Sequence, residues 1–470
     1  MDSNGEINLE VLISSKISMN KSNTEMEHLI FRWLTENLQY LNRLIRMARN
    51  NNGNILIDKE LPEILAEKIV NIRLSFNCDL KRIDLFAVNF EIGTNHLYSI
   101  GNIQFKFYFY QLYEDTSTNH LEDDLPCTFH TCLPSKDFNG LWESLVFDIN
   151  LQYKLLSYIR TSMIFGKKQI DSTLINWNKV LLLHGPPGTG KTSLCKALAQ
   201  KLSIIFFQQY ACFQLIEINA HSLFSKWFSE SGKLVLKLFD SIRDFAEDKS
   251  NMIFVLIDEV ESLVYDRQRT NSSDPSDAVR VVNALLTQID SIKRYPNIMI
   301  LANSNVTNAM DNAFIDRVDI KQFIGYPSIA TIYQIYASCI LELIKCEMIF
   351  NFEKDDRLYQ QRSQQSKEDE DSEEEIFLPY DDLIEAIQND ATNDYHDVES
   401  LENSRRLLEI SKMSENFAGR TLRKLPFLAI ALNSNEIDPY ITLTQFLHSL
   451  ERVVIERIQD NEYFNRDANR

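Results

Sequence analysis

Along the chain, stretches whose apolar residues recur every three or four positions alternate with short runs that are apolar throughout or at every second position. Residues 28–48, HLIFRWLTENLQYLNRLIRMA, place Ile30, Leu34, Leu38, Leu41 and Ile45 on one stripe and predict an amphipathic helix. IDLFAVNFEI (83–92) and NIQFKFYFYQLY (102–113) alternate apolar and polar residues as half-buried strands do. These predict a small α+β domain over 1–113, with residues 1–20 a polar, mobile lead-in. Residues 114–132, EDTSTNHLEDDLPCTFHTC, are polar and acidic and read as a linker.

From 133 to 327 the pattern changes to apolar runs separated by helical stretches. KVLLLHG (179–185), QLIEINA (214–220), NMIFVLID (251–258) and NIMILANS (297–304) have the apolar character of strands buried on both faces. Such alternation predicts an α/β domain built on a parallel sheet. Beyond 328 the periodicity is helical only, in SIATIYQIYASCILELIKC, SRRLLEISKMSENF, RTLRKLPFLAIALN and a last segment near 442–459. This predicts an all-α subdomain over 328–460. It is interrupted near 354–400 by a segment containing SKEDEDSEEE, whose seven acids in ten residues read most simply as a solvated, disordered insertion.

Composition narrows the class. Of the 470 residues 44% are hydrophobic, which fits a chain with packed cores. The net charge of −19 argues against a broad basic face for nucleic acid and favours protein partners. No secretory signal is read at the N-terminus, and no run is long enough for a membrane span. The seven cysteines lack CxxC spacing, so neither a disulfide framework nor a zinc site is expected, and a reducing compartment fits best.

The chemistry begins at LLLHGPPGTGKTSLCKAL, which sets G-x-x-x-x-G-K-T between a predicted strand and a predicted helix. Gly185, Pro186, Pro187, Gly188, Thr189 and Gly190 form a loop whose N–H groups can converge on a β-phosphate. The helix that begins near Lys191 adds the positive end of its dipole. Lys191 supplies a cation for the β- and γ-phosphates, and Thr192 a hydroxyl ligand for Mg²⁺.

The strand 253–257 ends in two adjacent carboxylates, which folding alone does not require. Asp258 suits the Mg²⁺ shell and Glu259 suits polarising a water, a pairing that points to ATP hydrolysis. After the next strand, Asn305 can sense the γ-phosphate, although a lone Asn is also a common turn residue. Arg317 is a candidate arginine finger, although taken alone it reads more simply as a surface salt bridge. Arg420, after Gly419, is a candidate second sensor.

Taken in order, GPPGTGKT, IDE, SN, DR and GR resemble the AAA+ ATPases over about 133–455. LIEINAHSLFSKWFSESGKLV, LIDEVESL, DAVRVVNALLTQID, FIDRVDIKQFIGYPS, GRTLRKLPFLA and LPSKDFNGLWESLVFD are similar to the pachytene checkpoint protein two family. The resemblance implies an AAA+ parallel sheet, an all-α lid and a small α+β N-terminal domain that binds client or adaptor. It further implies a homo-hexamer that uses ATP to unfold part of HORMA-domain proteins, some presented by an adaptor. Spindle-checkpoint disassembly and remodelling of the meiotic chromosome axis would be its settings, in nucleus and cytoplasm. Trp227 and Phe228 would form the pore loop that grips the client, and their polar flanks disfavour burial. Trp142 would lie near the adenine. Many AAA+ members carry a second arginine where this chain has Ile320, so Arg317 would act alone. The competing readings are an ATP-dependent nucleic-acid motor or clamp loader, and a scaffold that binds ATP without hydrolysing it.

Overall fold

The computed structural model describes residues 5–14, 23–38, 40–41, 44, 54–57, 61–76, 90–92, 98–100, 103–114, 128–148, 151–171, 174–175, 177–219, 231–261, 276–306, 312–350, 376–388, 398–433 and 441–468. These fall into two compact units. One comprises 1–145 and 149–325, the other 146–148 and 326–470. Among the described residues, no helix is long and apolar enough to cross a membrane.

The first unit contains two six-stranded sheets. The N-terminal sheet is built from β1 (Gly5–Ile13), β2 (Asn54–Leu56), β3 (Ile69–Phe76), β4 (Phe90–Ile92), β5 (Tyr98–Ile100) and β6 (Ile103–Tyr110), in the order β2-β3-β1-β6-β5-β4. Its β1 corrects the reading of residues 1–20 as a mobile lead-in. Residues 7–11, INLEV, alternate apolar and polar, and β1 lies in the sheet interior, antiparallel to β3 and parallel to β6. Ile7, Leu9, Val11 and Ile13 pack with Ile30, Phe31 and Leu34 of helix α1 (Asn23–Glu36) in one core. The opposite face carries Asn8 and Glu10, and both are buried as well. A strand with a buried polar face lacks the apolar content that marks interior strands, and that hid its place here.

The second sheet follows the order β12-β8-β11-β10-β9-β7. Its strands β8 (Val180–His184), β9 (Cys212–Asn219), β10 (Asn251–Asp258), β11 (Ile298–Ser304) and β12 (Ile320–Phe323) are mutually parallel. The edge strand β7 (Thr128–Leu133) runs antiparallel to β9. It corrects the C-terminal part of the expected linker. Phe129 of this strand is exposed, and backbone pairing to the sheet edge, more than side-chain pattern, makes it a strand. Helices α2 (Leu151–Lys167), α3 (Lys191–Ile205), α4 (Ser231–Glu247) and α5 (Ser276–Ile292) belong to the same unit. Val235, Leu238, Leu285 and Ile289 of α4 and α5 pack with Val180, Ile216, Val255 and Ile300 of the sheet. Burial on both faces explains the apolar runs of β8, β10 and β11.

The second unit is helical, with α6 (Ile329–Lys345), α7 (Tyr380–Gln388), α8 (Val398–Met413), α9 (Leu425–Asn433) and α10 (Leu443–Ala468) around one core. Ser328 caps α6, and Asp148 accepts from Ser328 Oγ at 2.5 Å and Thr331 Oγ1 at 2.7 Å, which ties 146–148 to this unit. A disordered insertion over 354–400 is too long a reading. Phe377, Leu378, Leu383 and Ala386 are buried in this core, because the acidic run is followed by an amphipathic turn of ordinary helical period. SKEDEDSEEE itself lies outside the described residues.

Candidate functional site

The parallel strands β8, β10 and β11 deliver their C-terminal ends to one place, the end at which parallel α/β sheets bind ligands. From β8 the chain passes into GPPGTG, where Gly185, Gly188 and Gly190 take φ of 148°, 78° and 94°. At Gly185 no larger residue fits, since a Cβ would stand 2.0 Å from the carbonyl oxygen of Ile324. Thr189 Oγ1 donates to the Pro186 carbonyl at 3.0 Å and tightens the loop. Lys191 is buried, and its ammonium donates to the carbonyls of Gly185 (2.9 Å) and Pro186 (2.7 Å). A cation is thus held inside a ring of backbone, at the N-terminus of α3, where an anion is favoured by the helix dipole.

Thr192, in the first turn of α3, donates its hydroxyl to Asp258 Oδ2 at 3.1 Å. This hydroxyl beside a carboxylate at the end of a buried strand is a hard oxygen donor set that suits Mg²⁺ held jointly with phosphate oxygens. The next residue, Glu259, turns into the left-handed region at φ 56°, with its N–H on Asp258 Oδ1 at 3.1 Å. The turn leaves Asp258 half-buried and Glu259 exposed. It sets Asp258 beside the Thr192 hydroxyl and Glu259 at the surface.

Sequence reasoning passed over Asn303, which the fold brings into this network. It is buried in β11. Its amide Nδ2 lies 3.3 Å from Thr192 Oγ1 and 3.4 Å from Asp258 Oδ1, and its Oδ1 accepts from Cys195 Sγ at 3.2 Å. Burial, with the charge of Asp258 behind it, pushes the Cys195 thiol up, so it stays a neutral donor. Asn305, the expected sensor, stands just past the strand and is exposed, with its N–H on Glu261 Oε1 at 3.0 Å. The two asparagines share one strand parity, and only the end of β11 at Ser304 distinguishes them.

Arg317 follows a one-turn helix at Asn312–Ile315 and is held within its own chain by Asp290 of α5 and by the Ala313 carbonyl. Burial pushes the Asp290 carboxyl up, but hydrogen bonds from Arg317 and Lys293 outweigh it and hold the group below its usual range. Arg420 is exposed at the start of a one-turn helix, Gly419–Leu422, in the helical unit. Trp227 and Phe228 lie outside the described residues. Trp142, expected near the adenine, is buried with its ring 5.6 Å from Lys201 Nζ in the C-terminal half of α3.

Comparison with known proteins places this geometry. Residues 181–326 match the model of the ATPase family associated with various cellular activities, and 328–458 match the TRIP13-like AAA+ ATPase lid C-terminal domain. The pachytene checkpoint protein 2 homolog of Xenopus tropicalis is 48% identical over 363 residues, covering 76% of this chain and 77% of that protein. The Homo sapiens homolog is 46% identical over 358 residues, 75% of this chain and 76% of that protein. A solved structure of C. elegans PCH-2 superposes with a TM-score of 0.68 at 31% identity, covering 97% of this chain and 99% of that one. A nucleotide loop, an adjacent pair of separated carboxylates and relatives matched over three quarters of the chain converge: it belongs to the pachytene checkpoint protein 2 family and is an AAA+ ATPase.

Proposed function

We propose that this ATPase works as a homo-hexameric ring that partially unfolds HORMA-domain proteins, with an adaptor presenting some of them. The observation that carries the hydrolytic half is the turn directly after Asp258, where Glu259 itself is left-handed at φ 56°. The family resemblance supports the client class and the ring. The net charge of −19 favours a protein client over nucleic acid. The settings expected for it are checkpoint complexes and the meiotic chromosome axis, in nucleus and cytoplasm.

Each residue has a separate task. The loop 185–190 and Lys191 bind and orient the phosphates of ATP. Thr192 and Asp258 hold Mg²⁺, which when bound neutralises phosphate charge. Glu259 accepts a proton from the attacking water. Arg317 completes the site of a neighbouring protomer, Asn305 and Arg420 report on the γ-phosphate, and Trp227 and Phe228 grip the client.

The test is capture by Glu259→Gln protein in ATP. It is expected to form rings and retain a purified HORMA-domain protein that wild type releases. Stimulation of wild-type hydrolysis by single-stranded DNA, with no retention or stimulation by a HORMA protein, overturns the reading in favour of a nucleic-acid motor.

A further inference from the structure

Asn303 is linked to Thr192, to Asp258 and to the turn that carries Glu259. Its amide reaches the Thr192 hydroxyl and the Asp258 carboxylate at 3.3 and 3.4 Å. Its backbone carbonyl accepts from the Val260 N–H at 3.0 Å, so the same residue closes the turn that carries Glu259 at φ 56°. The amide is itself oriented, because Cys195 Sγ donates to its oxygen at 3.2 Å and leaves the nitrogen facing the site.

The donor and acceptor inventory explains why an amide stands here. A threonine hydroxyl has one proton and two lone pairs. Thr192 gives its proton to Asp258 and accepts from Asn303, so one lone pair stays directed for a cation. Asp258 Oδ1 accepts from both the Asn303 amide and the Glu259 N–H, so rotation of its carboxylate is restricted before any cation arrives. A second carboxylate at this place would repel Asp258 and supply no donor at neutral pH. An apolar side chain would remove the amide's hold on both oxygens and leave only the Thr192–Asp258 bond and the Glu259 N–H.

We infer that Asn303 is a positioning residue for the divalent cation: it presets the Thr192 hydroxyl and the Asp258 carboxylate as ligands and couples them to the turn bearing Glu259. The inference rests on the assignment of the cation to Thr192 and Asp258. A strand residue in this role sets the ligand pair as the sheet forms, so nucleotide without metal binds the loop while metal affinity depends on β11.

The test uses the full chain and a fluorescent ADP analogue, titrated with MgCl₂ after EDTA treatment. Wild type is expected to bind the analogue more tightly as Mg²⁺ is added. In Asn303→Leu, cation-free affinity is expected within about twofold of wild type. The Mg²⁺ midpoint should rise by roughly 10–100-fold, the usual cost of removing a partner that orients metal ligands. Asn303→Ala, which removes the amide without adding bulk or charge, is expected to shift the midpoint in the same direction and serves where the Leu variant does not fold. A merely structural role would weaken binding equally with and without Mg²⁺, and that pattern overturns the inference. So does an unchanged midpoint in both variants. If wild type itself shows no Mg²⁺ dependence, the cation assignment fails, and the role of Asn303 fails with it.

Discussion

Arg317 donates through Nε and Nη2 to both carboxylate oxygens of Asp290, at 3.0 and 2.6 Å, in a fork that fixes the plane of its guanidinium. A free arginine side chain carries about 2 kcal/mol of rotamer entropy, and an arginine held in a fork enters an interaction already ordered. The residue proposed to act on a neighbour's nucleotide is thus aimed by an acid of its own chain. Asp290→Asn is expected to leave ADP affinity unchanged and to lower turnover several-fold. A variant with wild-type turnover would show that the pair is only a surface contact, worth little by itself.

The same geometry separates roles between protomers. Arg317→Ala should bind nucleotide and lose turnover, and so should Glu259→Gln. Mixed together, these two inactive proteins should recover part of the wild-type rate, because a ring site can then combine Glu259 from one with Arg317 from the other. Absence of recovery in rings shown to be mixed would place Arg317 outside the neighbouring site.

Glu259 by itself makes a sharper case. General-base assistance contributes about 10²–10⁴ in rate, so Glu259→Gln should lower ATP turnover by at least about 10²-fold. ATP affinity should stay near wild type, because Lys191, Thr192 and Asp258 remain in place. Single-turnover hydrolysis measured beside ATP binding checks it, and near-normal turnover would remove Glu259 as the base.

At the phosphate loop the expectation concerns backbone. Gly185→Ala places a methyl 2.0 Å from the Ile324 carbonyl oxygen, at φ 148° where side chains are strained. A loss of ~2 kcal/mol or more is expected, together with weakened nucleotide binding. A variant that melts like wild type would mean that β8 and the segment after β12 yield more readily than the contact implies.

Far from that loop, Lys201 of α3 meets Glu10 of β1 at 2.5 Å and Glu143 at 3.6 Å, with Lys201 and Glu10 both buried. Burial pushes the Glu10 carboxyl up and Lys201 only partly draws it back. Lys201→Met strands that charge and should cost ~3–5 kcal/mol, whereas the double variant with Glu10→Gln should recover most of the loss. The pH dependence follows from the raised value. Glu10 favours the folded state most at pH below its ordinary 4.5, and that contribution is lost as pH rises through the raised value. Glu10→Gln should flatten the stability profile in that window, and an unchanged profile in chemical denaturation would refute the assignment.

The parts legible in the chain are those that local chemistry writes in consecutive residues. GPPGTGKT is readable because a loop of backbone donors needs glycines and a lysine in fixed order, and Asp258 with Glu259 because carboxylates have no folding reason to end a buried strand. The apolar runs of β8, β10 and β11 are legible for a related reason, since burial on both faces leaves no polar alternation, whereas β9 carries half-buried Gln214 and Glu217. What the chain could not display depends on residues that only packing brings together. Asn303 and Asn305 look equivalent in LANSN, and the point where β11 ends decides which amide faces Thr192 and Asp258. The fork on Arg317 comes from a helix that begins before the preceding strand, and Glu10 is buried only because α3 presents Lys201 to it. β1 and β7 escaped for the same reason, one because its polar face is covered and the other because backbone pairing to β9 makes it a strand. The sequence alone determined the nucleotide loop and its carboxylates, because each is a local requirement of phosphate chemistry. Tertiary structure decided which side chains hold those groups still, because hydrogen bonds between distant strands form only when the sheet is assembled.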